Sequence, residues 1–97
     1  YFNNAASGPQ TDPDNAAQFR NFQTGLWKDG TPITEDGTGY GGTVPTNYVY
    51  PSNPSDPAGW SECSESIPGD DRRFVQNSGP FTLQNGEFQK ITIGAIW

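Results

Sequence analysis

The chain has 97 residues and a net charge of −6, with five basic residues, one Cys and neither His nor Met. Within this chain that excludes a basic nucleic-acid surface, a Ser-His-Asp triad, a His-based zinc site and an internal disulfide. No run approaches the roughly 18 apolar residues that a membrane-spanning helix needs.

Aliphatic side chains are scarce, but six Phe, four Tyr and three Trp can each bury about 150–250 Å². An aromatic-heavy core in one small domain, residues 1–97, is therefore expected. The aromatic ends, Tyr1-Phe2 and Trp97, point to a piece of a longer polypeptide.

Residues 3–15, punctuated by Pro9 and Pro13, read as a loop. Asp14 or Asn15 then caps a short helix expected near residues 15–26, with Ala16 and Ala17 in its first turn. Phe19, Phe22 and Leu26 recur at helical spacing as one apolar stripe, and Gly25 marks the place where the helix ends.

Asp29-Gly30 is a turn signal between Leu26-Trp27 and Ile33-Thr34, which fits a short hairpin or tight loop. The glycines at 37, 39, 41 and 42 follow. A phosphate-cradling loop would lead into a helix and usually carry a Lys, whereas this one leads into Val44-Pro45. Residues 46–51 read as a strand with Tyr48 and Tyr50 on one face. Two prolines between 52 and 59 mark an exposed loop, and Trp60 marks the return to the body. Cys63 has no cationic neighbour in sequence to lower its pKa and reads as a partly buried, ordinary thiol.

The stretch 69–97 carries the densest β-branched and aromatic pattern. Residues 73–76 and 81–83 read as strands. Asn85-Gly86 is a turn before a last strand in which Ile91, Ile93, Ala95 and Trp97 share one face. A two-residue hairpin at Asn85-Gly86 would bury Phe88, Lys90 and Thr92 instead. That conflict implies a bulge, or preferably a crossing to a second sheet. The expected fold is mainly β: a small antiparallel β-sandwich, immunoglobulin-like or jelly-roll-like, with the one short helix and long Gly/Pro-rich loops.

From Trp27 to Trp97 the chain resembles segments of large secreted and cell-surface proteins of Bacteroidota, cargo of the type IX secretion system with repeat or adhesin-like modules. The similarity rests on Trp27-Lys28-Asp29-Gly30-Thr31-Pro32-Ile33-Thr34, Gly39-Tyr40-Gly41-Gly42, Tyr48 to Pro51 and Trp60-Ser61-Glu62. Most specific is the block from Gly69-Asp70-Asp71-Arg72-Arg73-Phe74 to Ser78-Gly79-Pro80-Phe81-Thr82-Leu83. Asn85-Gly86 stands where such segments usually carry Pro-Gly. The resemblance implies secretion, a β-rich build and residence in a longer chain. It implies no catalytic residue.

The functional expectation is an extracellular structural or surface-assembly module, adhesin- or fibre-like, without enzymatic activity or cofactor. Its partners would be copies of itself or neighbouring domains of the same polypeptide. The candidate assembly strand is Ile91, Ile93, Ala95 and Trp97, with Tyr1-Phe2 at the other end. The alternative is a carbohydrate-binding module stacking sugars on Trp27, Tyr40, Tyr48, Tyr50 and Trp60, with glycans as partners. Asp36, Asp70 and Asp71 are weak calcium candidates, because none sits in the alternating acidic pattern of a dedicated loop. Asp70-Asp71-Arg72-Arg73 reads as an ion-pair network fixing the entry to the strand at Phe74.

Overall fold

Trp27 is the hub of the molecule, 0% exposed in a chain with few other buried apolar side chains. The structure is a computed structural model that describes residues 2–3 and 8–95. Around Trp27 lie Phe22, edge-on at 6.5 Å between ring centroids, and Tyr40, edge-on at 6.4 Å. Ile33 completes the buried cluster, and Val49 and Val75 pack against it from partly buried positions. Edge-to-face packing suits aromatic quadrupoles. The indole also keeps its polar handle satisfied, as Nε1 donates to the Gly39 carbonyl at 2.7 Å.

One side of this hub is helix α1, Ala16–Gln23. Asn15 caps its start, accepting from the Gln18 N–H at 3.1 Å, while the Gln18 side chain reaches back to the Asp14 N–H. At the far end the Gly25 N–H bonds the Phe22 carbonyl and the Leu26 N–H bonds the Asn21 carbonyl. Gly25 has φ +76°, the left-handed position of a Schellman cap. The expected helix thus forms with its expected caps, although it is shorter than residues 15–26. Of the expected stripe, Phe22 is buried, Leu26 lies beyond the helix half-buried, and Phe19 stays exposed.

After the cap the chain doubles back twice. Trp27 N–H bonds the Thr31 carbonyl and Leu26 bridges Pro32, closing the tight loop expected at Asp29-Gly30. Ile33–Glu35 then lies beside 44–46, through Glu35 N–H to Val44 O and Thr46 N–H to Ile33 O. The glycine-rich loop turns between them. Gly39 has φ +83°, and a Cβ there would stand 3.1 Å from Val49 and 3.2 Å from Trp27. Glycine is required at this point because the backbone carries the indole's acceptor into the core.

Residues 46–51 do not form the expected strand. Tyr50 takes φ +56°, which breaks any extended run, and its ring turns to meet Trp60 at 5.3 Å. Trp60 in turn bonds the Gly37 carbonyl, tying the proline loop back to the body. Residues 61–67 make one helical turn, in which Ser61 Oγ accepts from Ser64 N–H and Glu65 N–H bonds the Ser61 carbonyl.

The expected β-sandwich is absent. Strand β1, Phe2–Asn3, pairs antiparallel with strand β2, Arg72–Arg73, in a two-residue ladder, and this is the only sheet among the described residues. Of the expected strand over 73–76 only Arg73 pairs, with Phe2, and neither 81–83 nor the described part of the last strand, 91–95, forms a strand. The turn at Asn85-Gly86 explains part of this. Glu87 N–H bonds Gln84 O and Gly86 takes φ +86°, while Asn85 is not among the residues of positive φ. A hairpin twist needs positive φ at both central residues of a type I′ turn; with it at the second alone, the flanking strands splay. The supposed crossing between two sheets has no second sheet to reach. The radius of gyration, 15.4 Å, exceeds the ~13 Å of a close-packed domain of this length, as an extended arm requires.

Candidate interaction surface

The arm begins where the chain is held most firmly. The Arg72 guanidinium donates to Glu62 Oε1 at 2.7 Å and to the Pro68 carbonyl. Arg73 forks onto Asp71 and reaches Asp12 at 2.6 Å, across 61 positions of sequence. Hydrogen bonding to Asp71 holds the Arg73 guanidinium above its ordinary pKa. Of the expected ion-pair network only Asp71–Arg73 lies within the four residues; the other pairs reach out to Asp12 and Glu62. Asp70 is in no ion pair among the described residues, and the strand at Phe74 that the network was to fix does not form.

Beyond that anchor Val75 packs toward the core while Phe74 points away. From Gln76 to Ala95 every residue is exposed. Phe81 and Leu83 are half exposed, Ile91 is 58%, Ile93 75% and Phe88 84% exposed. No backbone hydrogen bond among the described residues engages 74–83 or 88–95. The arm carries only two charged residues, Glu87 and Lys90. Natural sheet edges are commonly blunted with charges and prolines, and between Lys90 and the last residue this one has neither.

Of the expected assembly strand, Ile91, Ile93 and Ala95 lie along this exposed arm, while Trp97 is outside the described residues, as is Tyr1. Phe2 pairs with Arg73 within the chain through its backbone.

The aromatic residues named for sugar stacking are scattered in role. Trp27 is enclosed and offers no face. Tyr40 packs its edge on Trp27 and donates its hydroxyl to Asp29 at 2.9 Å. Tyr50 and Trp60 are half-buried and cross at 66° rather than forming a flat platform. Tyr48 alone is freely presented, 72% exposed.

Two of the acidic candidates for calcium are engaged locally: the Asp70 carboxylate accepts from the Asp71 N–H, and Asp71 is paired with Arg73, whereas at Asp36 it is the backbone carbonyl that accepts, from Gly39 N–H. No group of three or more potential ligands converges among the described residues. Cys63, expected to be partly buried, is exposed.

A pair that sequence reading missed is Asp29 with Tyr40. Slight burial raises the Asp29 pKa, but hydrogen bonds from Thr31 and Tyr40 outweigh it and leave the carboxyl below its ordinary value. The same bond raises the Tyr40 phenol. Their separation of eleven positions gives no periodic signal; only the fold of the glycine loop brings them together.

No described helix is long and apolar enough to cross a membrane. Compared with protein-family models, with curated proteins and with solved structures, the chain matches none.

Proposed function

We propose that this chain is an extracellular structural module that assembles by strand addition through its C-terminal arm, without enzymatic activity. The observation that carries the reading is the arm from 74 to 95, which has only Glu87 and Lys90 as charged residues, exposes Phe74, Phe81, Leu83, Phe88, Ile91 and Ile93, and makes no backbone hydrogen bond over 74–83 or 88–95 among the described residues. Isolated exposed apolar residues need no explanation, but six large ones between Phe74 and Ile93 in a stretch of twenty residues support reading it as an interaction surface. An extended segment with free N–H and C=O groups is suited to adding itself to a sheet edge.

Magnitudes bound the strength of such an association. Full burial of an Ile side chain contributes roughly 1.5–3 kcal/mol, so burying what Ile91 and Ile93 still expose contributes about 2–4 kcal/mol. Four ladder hydrogen bonds add about 4 kcal/mol at roughly 1 kcal/mol each. Association costs on the order of 4–15 kcal/mol in lost freedom. A single junction is therefore weak, and stable fibres need many junctions in series or tethering within a longer chain. The placement outside the cell rests on the resemblance to secreted Bacteroidota segments.

Carbohydrate binding has less support, because Trp27 is enclosed and the Tyr50–Trp60 pair is crossed. The test is sedimentation velocity over a concentration series, on the wild type and on a variant carrying Ile91→Asp and Ile93→Asp. Concentration-dependent growth in the wild type alone supports the proposal. A wild type that stays monomeric throughout removes it.

A further inference from the structure

The five basic residues of the chain stand in very different surroundings. Arg20 lies inside α1, where its carbonyl accepts from Thr24 N–H. Lys28 is mostly buried, with Nζ 2.6 Å from Asp14, and the acidic Asp29 follows it. Arg72 and Arg73 form β2; the first is held by Glu62 and the second is clamped between Asp12 and Asp71. Lys90 is the exception. It is exposed, it is in no ion pair among the described residues, and the chain from 88 to 95 makes no backbone hydrogen bond among them.

An endopeptidase takes its substrate as an extended strand, with several residues on each side of the scissile bond paired to the enzyme. A helical or laddered segment must first open to enter, whereas an exposed segment with its backbone bonds unmade is ready to be cut. Around Lys90 that segment is Phe88 to Ala95. Ile91, not a proline, follows the lysine, and no acidic residue lies between 88 and 95 to oppose the acidic specificity pocket of a trypsin-like enzyme. We infer that the Lys90–Ile91 bond is a processing site for a trypsin-like endopeptidase. Water adds across the amide, leaving a carboxylate on Lys90 and a new amino terminus on Ile91, so no further reactant is needed. The body survives the cut. Phe22, Trp27, Ile33, Val49 and Val75 all precede Lys90, and residues 91–95 make no backbone hydrogen bond to them. The inference is independent of the assembly reading; where that reading holds, the same cut removes Ile91, Ile93 and Ala95 from the arm in one step.

The test is digestion of the full chain in dilute solution by a small proportion of trypsin, sampled over time and read by intact mass. The expected first product ends at Lys90 and forms at least several-fold faster than any cut after the other four basic residues. Lys90→Gln abolishes that product and leaves the remaining cuts at their slow rates. The purified 1–90 product keeps a thermal midpoint within about 4 °C of the intact chain, as loss of an exposed, unbonded segment requires. A first cut after Arg20, Lys28, Arg72 or Arg73, or all five sites cut together, overturns the inference. A midpoint lowered well beyond that margin also overturns it, because the segment from Ile91 onward would then be holding the body together.

Discussion

Replacing Trp27 by Ala and, separately, Ile93 by Ala tests where the stability of this chain resides. Trp27 is 0% exposed in the cluster it forms with Phe22 and Ile33, with its ring edge-on to Phe22 and Tyr40, so its truncation opens a cavity. Truncating a buried Trp costs about 3–5 kcal/mol. The lost indole bond leaves no orphan, since the Gly39 carbonyl still accepts from Thr34 N–H at 2.9 Å. Domains of this length have a stability of about 5–15 kcal/mol. A core of three buried apolar side chains among the described residues belongs at the lower end, so Trp27→Ala removes most of what exists. Ile93 is 75% exposed, and its truncation shifts stability by no more than about 0.5 kcal/mol. Urea titration followed through the Trp60 indole N–H resonance compares the two on a common probe. An Ile93→Ala midpoint lowered as far as that of Trp27→Ala would refute the reasoning.

Further outcomes follow from local geometry. Asn15→Ala removes the acceptor for Gln18 N–H and lowers stability by about 1 kcal/mol in the same titration. Gly39→Ala forces a side chain into the left-handed region, costing about 1–2 kcal/mol before its contacts with Val49 and Trp27 are counted, and the loss appears as a lower thermal midpoint. The folded pKa of Asp29 lies below its ordinary value of 3.8, so its contribution is present above that value and is lost as pH falls through the lower folded one. Thermal midpoints measured down this acid range fall more gently for Asp29→Asn than for the wild type. Tyr40→Phe moves the Asp29 carboxyl titration upward in NMR.

The sequence made some of this molecule legible and concealed the rest for physical reasons. Helix α1 could be read because its caps are local: Asn15, Gln18 and Gly25 act within a few residues of the bonds they form. The turn at Asp29-Gly30 was legible for the same reason. The hub was not. Trp27 stands in no periodic pattern, and its burial depends on a glycine loop twelve residues away delivering a carbonyl to its indole. The period of two in Ile91, Ile93 and Ala95 was visible, but alternation describes what a strand would bury and not whether a partner is present. Here no second strand lies alongside among the described residues, so the apolar face is left outside. A single extended segment has no independent stability as a sheet. The same residues that promised a core therefore became the exposed surface.

Hydrogen exchange of the backbone amides from 88 to 95 tests the central claim most directly, measured first in dilute monomer and then after concentration. An unpaired, exposed arm that adds to a neighbour gives unprotected exchange in the monomer and slowed exchange of alternate amides on assembly. Protection already present in dilute monomer, or none gained in the assembled state, contradicts the account.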